Sequence, residues 1–333
     1  FMILGYIVHV SVRGIDAMPA KSASGSRPWT TGQTLGAFGL SIVALVTIFN
    51  TNVAPAVANY ASTRAIIAGW QGDFAGAVKK YREAIDANTD GRYEFRHRYA
   101  QYLLEVAPQV NLKETPLFEE TVLQAIDDVK RNAEENPTDY LPLLYISRLY
   151  LTLGRDDAKS PYNDIALEYD ERALAISPTF VRTYYEFAQA YLNKRDPVKA
   201  FEWFAKAAEL QPEVPVTYWY MGITAAQAGD MKQSVNFVET ALAKGYTPSE
   251  GDLLKIIAIY LQVGDITKVI EAYKALVALV PDKPTYWSQF AAAYAQAGKT
   301  AEAVATTREA MARFPNDAEL QSEAKAFLRS LGQ

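Results

Sequence analysis

The chain of 333 residues contains no cysteine and only two histidines, His9 and His97. The lack of cysteine excludes disulfide bonds, a thiol nucleophile, a thiolate metal site and lipidated cysteine. The two histidines have no partner at the spacing of a metal site or a catalytic triad. Glycine-rich phosphate loops, a zinc-binding histidine pair and a serine nucleophile elbow are absent too. We therefore predict a non-catalytic protein with no cofactor and no bound metal.

Charge is unevenly distributed. The net charge of −5 and the lack of a basic stripe with interleaved aromatics argue against a nucleic-acid partner. Residues 28–63 contain no Asp, Glu, Lys or Arg. Within this stretch Leu35–Phe49 is apolar on every side, and Trp29 lies where an interfacial aromatic would be placed. Continued to about residue 57, the segment is long enough to span a bilayer.

We therefore predict an uncharged apolar helix over residues 34–57, which lies in lipid or inserts into a neighbouring subunit. The alternative is a helix buried in the core of its own chain. The residues proposed for self-association or membrane contact are the large apolar ones: Leu35, Phe38, Leu40, Ile42, Val43, Leu45, Val46, Ile48 and Phe49.

A short pattern returns along the second half of the chain. Starting from a turn residue, successive steps of five, four, three and five residues lead to a small residue, an aliphatic or aromatic one, a second small residue and a proline. The clearest copy is Gly264, Val269, Tyr273, Leu276 and Pro281. The turns at positions 195, 229, 264 and 298 are 34, 35 and 34 residues apart. A period near 34 residues is typical of stacked helix–turn–helix units.

These residues resemble the tetratricopeptide repeat family. The first helix of one unit carries Tyr218, Met221 and Gly222, and its turn is Gly229-Asp230. The resemblance implies an all-α fold, a right-handed solenoid of about seven helix pairs preceded by the apolar helix. It also implies that the protein binds protein partners.

The rest of the chain is assigned around these two elements. Residues 1–33 hold a short apolar segment and a loop that contains Ser, Gly and Pro. The repeat array is predicted over 58–315, with insertions near 107–116 and 155–162, and a capping helix over 316–333. Because the chain begins with Phe1, we expect a processed product or the tail of a longer hydrophobic segment. The candidate acceptors for O-linked sugars are Ser22, Ser24, Ser26, Thr30 and Thr31; the alternative is an unmodified loop.

A second resemblance covers about residues 1–107. The apolar helix ends in Asn52-Val-Ala-Pro55 and enters the first repeat directly, and Gly72-Asp-Phe74 follows. This arrangement is similar to bacterial O-antigen-ligase-like membrane proteins, whose last membrane helix leads into an extracytoplasmic repeat tail. The resemblance implies that the part bearing any glycan-transfer site lies outside this chain. No ligase activity is carried over.

Aromatic residues recur at the starts of repeats in three groups: Tyr184-Tyr185, Tyr218-Trp219-Tyr220 and Tyr286-Trp287. One member of each group is expected inside its helix pair, and its neighbour, about 100 degrees around the helix, faces the concave groove or the next repeat. Tyr185 and Trp219, with Arg148 and Arg182, are the predicted groove residues for a protein or glycan partner. Packing between repeats is the alternative interpretation. His97, among several arginines, is interpreted as part of a solvated basic face rather than as an anion contact.

These features leave three hypotheses, of which the sequence favours the first. The first is a structural protein that self-assembles through its apolar segment and solenoid into an extracellular or cell-surface filament. The second is a membrane-tethered adaptor whose repeats face the periplasm or the exterior. The third is the regulatory tail of a glycan ligase whose catalytic part lies upstream.

Overall fold

The computed structural model describes residues 30–111 and 115–333, and these residues form helices and no strand. The chain divides into two compact units, residues 1–92 and 93–333. Of the segment predicted over residues 1–33, residues 1–29, with Ser22, Ser24 and Ser26, lie outside the described residues, and the helix predicted from residue 34 already begins at Thr31. The all-α prediction is confirmed.

The first unit is built around one long helical rod. It comprises α1 (Thr31–Ile48), a π-helical turn (Phe49–Val53), α2 (Ala54–Trp70) and α3 (Phe74–Asp86). The helix expected to end near residue 57 continues without a break, because the π turn absorbs the position where Pro55 cannot donate a backbone hydrogen bond. Ala58, Ala61 and Ala65 are buried, and α2 packs against α3 as the first helix pair. The apolar part and the first repeat therefore share one continuous helix.

The second unit is a row of helix pairs followed by a single last helix. Its elements are α4 (Arg92–Val106), a 3₁₀ turn (Ala107–Gln109), α5 (Pro116–Glu135), α6 (Tyr140–Gly154), α7 (Pro161–Ile176), α8 (Val181–Asn193), α9 (Pro197–Leu210), α10 (Pro215–Gln227), α11 (Met231–Ala243), α12 (Glu250–Val263), α13 (Ile266–Leu279), α14 (Pro284–Gln296), α15 (Thr300–Arg313) and α16 (Ala318–Ser330). With α2–α3, the described residues contain seven helix pairs, as predicted.

The turn within a pair has the same conformation in successive repeats. Gly229, Gly264 and Gly298 have φ of 85°, 76° and 73°, and Arg195 adopts the same left-handed region with φ 60°. Glycine is favoured there because it has no Cβ to clash. An aspartate that caps the next helix follows most of these turns; Asp230, for example, accepts a hydrogen bond from the backbone N–H of Gln233 at 2.9 Å.

The core is contiguous across the later repeats. Small residues such as Gly222 and Ala241 allow two helices to approach, and Val238, Val269 and Leu276 fill the space between them with no exposed surface. Each pair hides its apolar side only with the help of its neighbours. The outer faces remain free to carry polar groups.

Candidate functional site

The first candidate site is the surface of α1. All nine apolar residues predicted for self-association or membrane contact are exposed, from 47% for Ile42 to 73% for Leu40. No residue of α1 is buried. Among the described residues, Thr31–Trp70 is the one helix long and apolar enough to cross a membrane. The described residues therefore do not bury this helix in a core of its own chain.

The polar side chains of this helix find partners within the helix itself. Ser41, Asn50 and Thr51 donate to the carbonyl oxygen four residues earlier, at 2.9, 2.9 and 2.8 Å. Thr30 caps the helix, because its hydroxyl accepts from the Gln33 N–H at 3.3 Å. Polar groups satisfied in this way carry a small cost in an apolar environment. Thr31, the other described candidate for O-glycosylation, is the exposed first residue of α1.

The second candidate site, which we call the arginine pocket, lies among α4, α6 and α8 of the second unit. It has a volume of about 250 Å³. It is lined by Leu104, Ala107, Pro108, Arg148, Leu151, Thr152, Arg155, Arg182, Glu186, Gln189 and Asn193. Two of the predicted groove residues, Arg148 and Arg182, thus meet in one cavity.

The centre of the arginine pocket is a shared ion pair. Glu186 is nearly buried, and its Oε1 accepts from Arg182 Nε at 2.7 Å and lies 3.5 Å from Arg148 Nε. Arg148 also lies over the ring of Tyr145, 5.7 Å from its centroid. Each of these contacts restrains one guanidinium group. The two arginines are therefore held side by side, and the pair together with Glu186 has a net charge of +1.

Buried amides and a third arginine stiffen the walls. Asn193 donates through Nδ2 to the carbonyl of Leu151 at 2.9 Å and to Asn163 Oδ1 at 3.0 Å. Arg155 donates to the backbone carbonyl of Ala107 at 2.6 Å and to that of Val110. Because Arg155 holds the segment after α4, it serves the structure of the pocket more than a ligand.

A buried carboxyl group belongs to the same repeats. Asp170 on α7 has no exposed surface, and Ser147 and Thr183 are equally buried. Burial raises the pKa of Asp170 well above its ordinary value; the charge of Glu186 acts in the same direction, and the nearby Ser147 hydroxyl opposes it. The periodic pattern gave no sign of this carboxyl group, because acidic residues on helices are usually solvated.

The two predicted aromatic groove residues have different surroundings. Tyr185 is partly buried, and its hydroxyl lies 2.6 Å from Thr217 Oγ1. Trp219, expected to face the groove, is only 4% exposed and stacks on Tyr246 with ring centroids 5.1 Å apart. Tyr246 replaces the proline of the repeat pattern, and its ring covers Trp219. The aromatic side chain that reaches the surface here is Tyr220, at 40% exposure.

The interpretation of His97 as part of a solvated face is also corrected. Arg96 and His97 are 5% and 6% exposed. Arg96 donates to Asn132 Oδ1 at 2.9 Å and to Glu135 Oε1 at 3.0 Å, and Asn132 Nδ2 lies 3.2 Å from His97 Nδ1. These partners lie on α5, more than thirty residues away in the sequence. No cluster of three His, Asp or Glu residues suited to a metal occurs in the described part of the chain.

Comparison with known proteins agrees with the helix-pair geometry. The tetratricopeptide repeat pattern matches residues 181–214, which comprise α8, α9 and the residues that follow. No curated protein matches the chain.

Several solved structures resemble the chain at low identity. They include YrrB, described as a TPR protein with an unusual peptide-binding site, at 17% identity over 60% of this chain and 97% of that one, with a TM-score of 0.45. Pseudomonas aeruginosa pilF has 14% identity over 71% and 97%, with a TM-score of 0.46. The C-terminal part of a TPR repeat-containing protein from Cytophaga hutchinsonii has 18% identity over 76% and 94%, with a TM-score of 0.46.

Residues 181–214 thus match a tetratricopeptide repeat, and they lie within a row of helix pairs whose turns recur about every 34 residues in the left-handed backbone conformation.

Proposed function

We propose that the protein is a membrane-tethered scaffold that binds protein partners through its repeats. The observation that carries the proposal is the exposure of α1, an uncharged helix whose large apolar side chains have no cover within the described chain. Exposed apolar patches of this size mark a membrane or protein contact. The repeat fold is suited to protein interaction, and the arginine pocket is a candidate contact point.

The length of the helical rod suits a bilayer. The 40 residues from Thr31 to Trp70 extend about 60 Å, and the hydrocarbon core takes about 30 Å of that. Tyr60, which is 67% exposed, follows the apolar part by one turn. An exposed tyrosine at that depth fits the interfacial aromatic belt. The remaining length of the rod then forms the first repeat outside the lipid.

The positive charges favour one orientation. The twenty residues before Thr31 contain three basic residues, Arg13, Lys21 and Arg27, whereas residues 58–77 contain only Arg64. Basic residues are retained on the cytoplasmic side of membrane helices. The repeats then face the periplasm or the exterior. This topology is the one expected for the tail of an O-antigen-ligase-like protein.

Self-assembly is the second candidate. The same exposed apolar surface would be covered if α1 inserted into a neighbouring subunit, and a contact of that kind that does not close builds a filament. Gly36 and Gly39 support close helix approach, because an added Cβ would meet nothing within 4 Å at either position. The filament, however, requires a matching cleft on the neighbour, whereas lipid does not.

Membrane fractionation of the full chain tests the tether. We expect the chain to stay in the membrane pellet after a carbonate wash and to be released by detergent. Replacing Val43 and Leu45 by Asp places two charges near the middle of the apolar segment, at a cost of roughly 5–7 kcal/mol on insertion scales, and should move the chain to the soluble fraction. The control replaces the exposed Val198 and Leu279 by Asp.

The filament hypothesis predicts a different outcome for the same cell extracts. Fibres seen by negative stain in detergent-free extracts, together with no pelleting of the chain with membranes, would support the filament and refute the tether.

The orientation in the membrane is measured with single introduced cysteines, since the chain has none of its own. A membrane-impermeant maleimide should label Ser322→Cys in intact cells and leave Ser24→Cys unlabelled. Labelling of Ser24→Cys and not of Ser322→Cys would show the opposite orientation.

A further inference from the structure

We propose that a cavity among α11, α12 and α13, which we call the aromatic slot, binds a small molecule that carries one aromatic ring system and one ammonium group. The slot has a volume of about 360 Å³. Its apolar walls include Leu242 on α11, Leu253, Ile256 and Tyr260 on α12, and Ala272 and Leu279 on α13. The inference depends neither on the membrane tether nor on the arginine pocket.

The slot lies where earlier repeats hold an aromatic side chain. Ala272 occupies the repeat position that Phe237 holds 35 residues earlier. At further steps of 34 residues towards the N-terminus, the same position is Trp203 and then Tyr169. Trp203 packs against the first helix of its own pair, where its ring stacks on that of Phe187 with centroids 3.9 Å apart. Alanine at this position leaves the corresponding space beside α12 unfilled.

The opposite wall of the slot is the counterpart of the surface on which Trp203 lies. Ile256 has the repeat position of Phe187, and Leu253 has that of Tyr184. Tyr184 also lies against Trp203, with ring centroids 5.9 Å apart. Since Leu253 and Ile256 both line the slot, the slot has the place and the surroundings of a missing aromatic side chain. A flat ring bound there would gain apolar contacts on both sides.

The pair α12–α13 is unusual among its neighbours. From α6–α7 to α14–α15, every other pair has an aromatic residue in at least one of these three positions, once the insertion near 155–162 is allowed for. In α14–α15 the position of Ala272 is also small, Thr306, but the first helix carries the nearly buried Trp287 and Phe290. Because unfilled space in a core costs stability, a ligand that fills the slot should stabilise the array.

The charges beside the slot select a cation. Lys268 Nζ lies 5.5 Å from the centroid of the Tyr260 ring, but it is ion-paired with Glu239 and lies 4.0 Å from Asp265. Glu271 also lines the slot and forms no ion pair within the described residues. These four ionised groups, one ammonium and three carboxylates, have a net charge of −2. An ammonium group on the ligand is therefore attracted, and a carboxylate is repelled.

The size of the slot suits a free small molecule. Its volume of about 360 Å³ lies within the roughly 300–1,000 Å³ of pockets for small molecules. Three helices surround it, so a bicyclic ring can be covered on most of its surface. An arylalkylamine combines such a ring with an ammonium group on a short chain, which can reach Glu271 while the ring contacts Leu253 and Ile256.

Equilibrium dialysis of the full chain in detergent micelles tests the proposal. The probes are tryptamine, indole, indole-3-acetate and hexylamine at pH 7. Ala272→Phe restores the residue type of Phe237, fills the slot, and measures how much of each probe enters the micelles. We expect saturable binding of one tryptamine per chain, at least about threefold tighter than that of indole. Indole-3-acetate should bind more weakly than indole, and hexylamine should not exceed the micelle background.

Substitutions on α13 separate the contributions of the ring and of the charge. Ala272→Phe should abolish tryptamine binding and unfold at a higher urea concentration than the parent. The matched control Ala278→Phe, on the exposed side of the same helix, should keep the parent's tryptamine binding. Glu271→Gln should weaken tryptamine about threefold and leave indole unchanged. A loosely packed core with no ligand predicts the gain in stability but no bound tryptamine.

The contrary outcomes are distinct. Equal retention of tryptamine by the parent and by Ala272→Phe would refute the slot; if that variant does not fold, empty micelles supply the background and Glu271→Gln decides. Indole that binds as tightly as tryptamine would refute the ammonium group, and hexylamine that does so would refute the ring. A blocked peptide with adjacent Trp and Lys that binds when tryptamine does not would refute the small molecule and assign the slot to a protein partner. Membrane fractionation judges the tether separately from all of these results.

Discussion

The close approach of α10 and α11 predicts that Gly222→Ala destabilises the array. A Cβ added at Gly222 would lie 2.8 Å from Val238 Cγ2, 3.1 Å from the backbone nitrogen of Val238 and 3.3 Å from the carbonyl oxygen of Ser234. Val238 has no exposed surface, and its branched side chain has little freedom to rotate away. The two helices must therefore separate by a few tenths of an ångström.

Two effects of opposite sign set the magnitude. Alanine stabilises a helix interior by about 1 kcal/mol relative to glycine. Forcing a methyl group into a packed interior costs about 1–3 kcal/mol. Because the backbone of α11 is itself among the crowded atoms, the steric cost is the larger, and we expect a net loss of roughly 1 kcal/mol.

Gly251→Ala is the matched control. Gly251 also lies in a helix, yet the nearest atom to an added Cβ is Ser249 Oγ at 4.0 Å. This variant should keep the stability of the parent or gain up to about 1 kcal/mol. Urea unfolding of the full chain in micelles, followed by circular dichroism, measures both variants. A Gly222→Ala protein at least as stable as Gly251→Ala would show that the helices do not approach as closely as described.

Three further predictions follow from buried or anchoring polar groups. Burial raises the pKa of Asp170, so the folded chain loses stability as the pH rises from about 4 through that pKa; Asp170→Asn should be more stable than the parent at pH 8 and equal to it at pH 3 by urea unfolding. Burial lowers the pKa of His97, so stability is lost as the pH falls below about 6.5, and His97→Gln should show a smaller loss between pH 7.5 and 5.5; equal losses would contradict this. Arg155→Ala removes two hydrogen bonds to the segment 107–110, so backbone amides there should exchange faster with deuterium, whereas Arg308→Ala should not change them.

The repeat architecture could be predicted because it depends on local rules. The turn glycines recur where only a left-handed backbone closes the helix pair, and the prolines fall just past the second helix. Arg195 occupies the same conformation without being glycine, so the spacing was more informative than the residue type. Periodicity of this kind fixes which residues share a helix face.

The polar interior could not be predicted in the same way. Arg96 is buried because Asn132 and Glu135, on another helix, meet its guanidinium group. Trp219 is buried because Tyr246 lies over it. The decisive partners lie in other elements, on α5 for Arg96 and in the loop between α11 and α12 for Trp219. A helical pattern read along one segment contains no information about such partners. The arginine pocket was anticipated only as far as the positions of Arg148 and Arg182, and Glu186, which organises it, was missed.

The continuity of α1 and α2 bears on how a tether would act. A flexible linker lets a bound domain sample many heights above a membrane and lowers the probability of any single contact. Here the helix that carries the exposed apolar residues is the same helix that packs against α3. The first repeat would then stand at a fixed height, and the rod could bend most readily at the π turn Phe49–Val53, beside Pro55. The sequence places Asn50, Thr51 and Asn52 there, whose side chains bond to carbonyls four residues earlier. A scaffold anchored in this way reaches fewer positions than one on a flexible linker, but its first repeat has a defined distance from the membrane. This arrangement favours partners that are themselves held at the membrane.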